Sequence, residues 1–250
     1  MDTGAILRKQ AHRQTPLPEG KWVMRQSWRE LLFAHWPIAV ERLRPLVPKA
    51  FILDTFEGEA WVGIVPFQMC DVSPRGVPGL PWLSESLELN VRTYVRVNGV
   101  AGVYFFSLDA ANPLFVGVAR ALFALPYFQA RMRVEQDGEM IYYSSRRRYA
   151  RDGAADYQVR YRPTGPVAYA SAGSLPFWLT ERYCLYTMKR EQVYRVDIQH
   201  GPWPLQEAEM ETTQDSMARS HGIVLPDTAP LLYYARQQDT LAWLPQRVVL

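Results

Sequence analysis

Lysine is nearly missing from this sequence. Of 28 basic residues only Lys9, Lys21, Lys49 and Lys189 are lysines, and the rest are arginines. Covalent catalysis through an amine therefore has few candidates, because the nucleophile must be a lysine held neutral enough to attack. Cysteine is scarce too. Cys70 and Cys184 have no metal-ligand spacing and read as buried thiols, and nothing at the N-terminus resembles a secretory signal, so a reducing cytoplasm is expected. The longest charge-free run, residues 163–180, is broken by Pro163, Gly165, Pro166, Gly173 and Pro176. No membrane span is expected from it. The four histidines fall in no HxxxH or HExxH pattern and no carboxylate cluster accompanies them, so no metal is expected. GxSxG, P-loop and GxGxxG motifs are absent as well. The net charge of +3 is too small to signal a nucleic-acid protein. The one basic cluster, SSRRRYAR at 144–151, runs straight into Asp152 and reads as the end of an exposed hairpin.

What is present suits one globular domain. A chain of 250 residues with 48% hydrophobic and 21% charged residues can bury a substantial core. Residues 1–21 lack apolar periodicity and are expected to form a loose arm, with a single domain over 22–250. Turn dipeptides then recur between β-rich runs. Asn98-Gly99, Asp137-Gly138 and Glu57-Gly58 each predict a tight hairpin. Helices are fewer: NPLFVGVARALFAL, with Asn112 as cap and Pro113 in the first turn, and shorter ones in PIAVERLRPLVP and GSLPFWLTERY. The expected class is mainly β with a few helices (α+β), its antiparallel sheet large enough to curl or close.

Chemistry-bearing residues concentrate in two stretches. In LELNVRTYV the period of two puts Glu88, Asn90, Arg92 and Tyr94 on one face and Leu87, Leu89, Val91, Thr93 and Val95 on the other. The polar row is either a solvated sheet face or, turned into a barrel, a ligand platform. Glu181 and Arg182 in LTERYCLY pose the same alternative, a surface pair or a buried pair that orients a ligand. His35 in FAHWPI and His200 in IQHGPW could serve in proton transfer, although a histidine beside tryptophan is more often structural.

Six ordered segments, HW at 35–36, EGEAWVGIVPF at 57–67, NVRTYV at 90–95, GVYFFSLDA at 102–110, ARALFALPYFQARM at 119–132 and LTERYCLY at 179–186, resemble the YqjF-like, or DUF2071, family. The resemblance implies the acetoacetate decarboxylase-like fold, a cone-shaped antiparallel barrel with a cavity, and carries no established activity. Acetoacetate decarboxylase has an arginine-glutamate motif ending in proline and two lysines, the first lysine forming a Schiff base. Laid on ARALFALPYF, the arginine matches Arg120 and the proline Pro126, the glutamate becomes Ala121, and the lysines become Tyr127 and Phe128. A barrel glutamate matches Glu88. A phenol and a phenyl ring cannot form an iminium, so the inherited pocket is expected without the inherited chemistry.

The expectation is a small organic acid or carbonyl compound bound without Schiff-base catalysis and without a cofactor. Glu88, Asn90, Arg92, Arg120, Tyr127, Phe128, Glu181 and Arg182 are the candidate binding residues, with Glu88 and Tyr127 as candidates for proton chemistry. Phe105 and Trp178 would add apolar wall. A noncovalent lyase or isomerase acting on a keto acid, and an interaction module with a filled barrel, are the alternatives. No nucleic-acid or membrane partner is expected, and the sequence leaves a homo-oligomer open.

Overall fold

The computed structural model describes residues 1–77, 85–113, 116–117, 125–147 and 155–250. Thirteen strands follow one another: β1 Met24–Ile38, β2 Ile52–Leu53, β3 Ala60–Pro74, β4 Ser86–Val97, β5 Val100–Ala110, β6 Tyr127–Asp137 and β7 Met140–Arg147, then β8 Asp156–Pro163, β9 Cys184–Lys189, β10 Gln192–His200, β11 Gln206–Asp215, β12 Leu231–Ala242 and β13 Gln246–Val248. Short helices α1 (Thr3–Arg8), α2 (Val40–Leu43) and α3 (Leu175–Thr180) decorate them.

All thirteen strands belong to one sheet, which closes on itself twice. One circuit runs through β1, β3, β4, β5, β6, β7, β8, β11 and β12, with short joints where β5 meets β6 and β11 meets β12. The other runs through β1, β3, β4, β5, β9, β10 and β12. Closure leaves fewer open edges than an open sheet of this size would present, the short β2 and β13 being among those that remain. Pairing is antiparallel except where β5 runs parallel to β6 and to β9. At the second of these joints Gly102 is required by space, since a Cβ there would lie 2.7 Å from the Tyr186 ring and 2.8 Å from Cys184 Sγ.

The two circuits share β12, β1, β3, β4 and β5 as a common wall, and the pleat assigns each wall residue to one side. The nine-strand ring is packed solid. Leu32, Ile64, Leu89 and Val91 from the wall meet Tyr143, Tyr157, Tyr161 and Tyr234, all fully buried. Each phenol finds an acceptor, which is what makes its burial tolerable: Tyr143 donates to the Glu88 carbonyl at 2.8 Å, Tyr161 to the Glu30 carbonyl at 2.7 Å, Tyr157 to Met210 Sδ at 3.8 Å, and Tyr234 to the Glu30 carboxylate. Glu30 sits at φ 51° in the irregular stretch of β1 between Arg29 and Ala34. Leu89 and Val91, on the face opposite the polar row, are covered by strands.

Two of the three turn expectations need adjustment. Asn98-Gly99 joins β4 to β5 as expected, with φ 48° and 78°. In the next hairpin Asp137 pairs with Met140, so the turn is Gly138-Glu139, one residue later than the sequence suggests. Glu57-Gly58 does turn, bracketed by the bridge from Phe56 to Glu59, but β2 pairs with β4 rather than β3. A further hairpin, β9 to β10, turns on Arg190-Glu191 at φ 50° and 64° and carries none of the usual turn residues.

The N-terminal arm is docked rather than loose. Asp2 caps α1 by accepting from the Ala5 amide at 2.9 Å, and Ile6 packs against Leu241 and Trp243. Arg13 donates to the Ile198 carbonyl at 2.9 Å and to Gln199 Oε1 at 2.6 Å, and its guanidinium lies 4.4 Å from the Tyr183 ring centre. The helix expected after Asn112 is present at Pro113, Val116 and Gly117; the rest of that stretch, Arg120 and Ala121 included, lies outside the described residues, as does the tail of the basic cluster from residue 148. Among the described residues no helix is long and apolar enough to cross a membrane.

Candidate functional site

The seven-strand ring is hollow. Its cavity of about 440 Å³ is lined mainly by apolar side chains, among them Leu31, Phe67, Met69, Val72, Phe105 and Ile198. Polar groups enter it from few places: Glu88, Asn90 and Arg92 from β4, Tyr127 from β6, Thr180 and Arg182 from the end of α3, and His200 and Gln26 from the strands opposite. The alternation read from LELNVRTYV thus holds, and the polar row faces the cavity. This is a ligand-site composition, an apolar container with a few convergent polar groups.

Glu88 is fully enclosed. Tyr127 donates to its Oε2 at 3.0 Å, and Asn90 also hydrogen-bonds it. Burial pushes the Glu88 carboxyl up to about 8, against the downward pull of those two hydrogen bonds, and nearby Asp109 adds to the rise. Near neutral pH it is therefore largely protonated, a neutral acid on a cavity wall. Burial drives the Tyr127 phenol well above its ordinary range, with the Glu88 charge reinforcing the effect. Asn90 Oδ1 is buried with no hydrogen-bond partner among the described residues.

Two arginines share one aromatic platform. The guanidinium of Arg92 lies 5.7 Å from the Tyr94 ring centre and that of Arg182 lies 4.8 Å from it. Arg182 is tied down on one side, giving Nη1 to Asp54 at 2.6 Å and Nε to the Trp178 carbonyl at 2.6 Å, while its buried Nη2 has no acceptor. Asp54 also receives Arg96 at 2.7 Å. Arg92 makes no ion pair among the described residues, and its buried Nε is likewise without an acceptor. Beyond them His35 meets the Tyr94 hydroxyl at 2.6 Å, and Gly63 makes room, since a Cβ there would stand 2.9 Å from His35 Nε2. Burial first, then the Arg92 charge, hold His35 well below its ordinary value, so it is neutral.

Several expectations change. Glu181 and Arg182 are both buried but do not pair: Glu181 accepts from the Tyr183 hydroxyl and, at 3.0 Å, from the Trp203 amide, and it lies outside the cavity lining. Consecutive residues leaving a helix end point to different sides, which adjacency alone cannot show. Phe128 follows Tyr127 on a strand and so faces the other way, under the Arg147 guanidinium at 4.1 Å. Trp178 lies beneath Arg182 at 4.3 Å, supporting the wall without forming it. His35 and His200 do not touch; the rings of Phe33 and Trp203 stand between them. Arg120 lies outside the described residues. Asp54 escaped sequence reasoning, because nothing in LDTF marks a carboxylate that anchors two arginines distant in sequence.

A sequence profile of the DUF2071 family, described as an uncharacterized conserved protein, matches residues 25–239. The chain belongs to the DUF2071 family. It is 47% identical over 227 residues to the uncharacterized protein YqjF of Bacillus subtilis (strain 168), covering 91% of this chain and 93% of that one. Among solved structures this DUF2071 chain is similar to acetoacetate decarboxylase from Legionella pneumophila, with a TM-score of 0.62 at 12% identity over 98% of this chain and 95% of that one. It is also similar to the enduracididine biosynthesis enzyme MppR, complexed with the condensation product of pyruvate and imidazole 4-carboxaldehyde, with a TM-score of 0.62 at 9% identity over 96% and 92%. At such identities the likeness fixes the fold, which is acetoacetate decarboxylase-like.

Proposed function

We propose that this DUF2071 protein binds a small organic acid or carbonyl compound in the hollow ring without forming a covalent bond to lysine. The observation that carries the reading is Arg92, a guanidinium at an apolar cavity with no carboxylate partner among the described residues. Arg92 is partly buried with its Nε enclosed, and a partly desolvated cation without a counter-charge is costly; a ligand carboxylate reduces that cost while accepting forked hydrogen bonds. Arg182 Nη2 is a second donor, and the neutral Glu88 carboxyl has a proton to offer a carbonyl oxygen. The noncovalent part of the reading is supported by position: all four lysines are exposed, and none lines the cavity. A cavity beside Tyr127 also speaks against an interaction module with a filled barrel. The pyruvate-derived compound held by MppR belongs to the same ligand class.

A second reading, a lyase or isomerase acting on a keto acid, is favoured by Glu88 alone. A carboxyl poised near 8 inside a cavity can give and take protons near neutral pH. Calorimetric titration with pyruvate, acetoacetate and longer keto acids tests the binding step, with Arg92→Gln beside the parent. Loss of affinity by about tenfold or more in the variant, equivalent to about 1.4 kcal/mol, supports Arg92 as the anion holder. Equal affinity in a folded variant removes it.

A further inference from the structure

The shape and polarity of the cavity narrow the ligand class further, and this step rests on the organic-acid reading above. At about 30 Å³ for each water-sized group, 440 Å³ has room for roughly fifteen non-hydrogen atoms. A three- or four-carbon acid would leave most of that space empty. The unused part is apolar: away from Arg92 and Arg182 the lining becomes Met24, Val72, Pro74, Ala242, Ile198 and Leu244. Filling it with water would place solvent against hydrocarbon with few hydrogen-bond partners, and a hydrocarbon group fits it better.

The polar end is built for one kind of head group. Arg92 Nε and Arg182 Nη2 are donors without acceptors, Asn90 Oδ1 is an acceptor without a donor, and all three atoms are buried in side chains that line the cavity. On the charge side Asp54 is shared by Arg96 and Arg182, and Arg92 adds a cation with no ion pair among the described residues, while His35 is neutral and Glu88 largely protonated. One anionic head with a hydroxyl or N–H beside it would satisfy the donors, the acceptor and the surplus charge together. Along β4 the Cα atoms of Arg92 and Glu88 are separated by about 13 Å, four residues at about 3.3 Å each, so the polar row itself runs lengthwise along the container.

We infer that the ligand is an elongated amphiphilic carboxylic acid, with its carboxylate at Arg92 and Arg182, a hydroxyl or amide N–H within reach of Asn90, and a hydrocarbon or aryl tail in the apolar end of the seven-strand ring.

The test is a chain-length series on the full-length protein, measured by calorimetry: acetate, 3-hydroxybutyrate, and the 3-hydroxy acids of six, eight, ten and twelve carbons, with decylamine as a tail without an anion. Affinity is expected to rise about fourfold for each methylene, the worth of a buried CH₂, up to roughly eight to twelve carbons and then to level off. Decylamine is expected to bind at least tenfold more weakly than the ten-carbon acid, and Arg92→Gln to erase that preference. Ile198→Trp, which fills the tail end, should weaken the long acids and spare 3-hydroxybutyrate; should it not fold, the series on the parent protein decides alone. Short acids that bind in an Arg92-dependent way with no gain from added carbons would overturn the amphiphile and leave the organic-acid reading standing. Equal binding of decylamine and the ten-carbon acid would overturn the head-group assignment. No binding of any acid would sink both.

Discussion

The same five strands wall two compartments that could hardly differ more. On one side of β4, Leu89 and Val91 are sealed into a core of four fully buried tyrosines; on the other, Glu88, Asn90 and Arg92 face about 440 Å³ of open space. In the packed ring the four phenols are all spent on fixed acceptors. The hollow ring leaves buried donors and an acceptor unspent. A packed core and a cavity are thus separated by a single sheet thickness, and the pleat does the separating. Unsatisfied polarity alone does not tell the two apart, since Ser145 Oγ is buried without a partner in the packed ring; what differs is that Asn90, Arg92 and Arg182 stand beside a cavity.

The contrast breaks first where the packed ring is opened. Arg147 gives two hydrogen bonds to Asp109, at 2.7 and 3.1 Å, and Asp109 is fully buried. Arg147→Ala strands that carboxylate and should cost about 3–5 kcal/mol of unfolding free energy. Tyr161→Ala, which removes a core ring and its bond to Glu30, should cost about as much, roughly 3–5 kcal/mol. Urea unfolding curves measure both, and a loss below about 1 kcal/mol in either would mean the packed ring is not where stability resides.

Glu88 offers a sharper probe, through pH. Its carboxyl belongs at 4.5 when unperturbed and at about 8 in the fold, so the folded chain keeps a proton that the unfolded chain gives up between those values. The favourable contribution is complete below about pH 4.5 and drains away as pH climbs through 8. Glu88→Gln, which keeps the shape and cannot ionise, should therefore gain on the parent by on the order of a few kcal/mol between pH 5 and 9. Parallel stability curves for the two proteins across that window would show that Glu88 is not held neutral.

Smaller effects belong to the hollow side. Phe105 lines the cavity and is only partly buried. Phe105→Ala enlarges a space that already exists, so it should cost roughly 1–2 kcal/mol, below the loss at Tyr161. Smallest of all is an expected absence of change. Acetoacetate with borohydride should leave the intact mass of the protein unaltered, because the aligned Schiff-base position is Tyr127 and every lysine is exposed outside the cavity. An added mass mapped to Lys189 would reverse that.

Local signals carried most of the fold. Alternation in LELNVRTYV and the Asn98-Gly99 turn are properties of neighbouring residues, and both appear as read. The double closure was out of reach, since it depends on β5 accepting β4, β6 and β9 along one strand, and only Gly102 hints at a crowded joint. At the site, Glu88, Asn90 and Arg92 were legible because each sits on a regular strand whose period names its face, whereas Tyr127 came from the resemblance to the decarboxylase motif. Phe128 failed for the same reason in reverse: borrowed from a motif rather than from the period, it was put on Tyr127's side, and a strand cannot do that. Glu181 failed because a helix end obeys no period. The arm was misjudged because its anchors, Ile6 and Arg13, are single residues whose partners lie nearly two hundred positions away.

The shared wall also dictates which sequence changes the protein can absorb. A point substitution at Glu88, Asn90 or Arg92 rewrites the hollow compartment and leaves the tyrosine core untouched, so selectivity can drift while the fold stays put. Insertion or deletion of one residue in β4 is another matter. It would swap the two faces together, driving a guanidinium among Tyr143, Tyr157 and Tyr161 and lining the cavity with leucine and valine. Members that bind different molecules should therefore differ at alternate positions of β4 and keep its length.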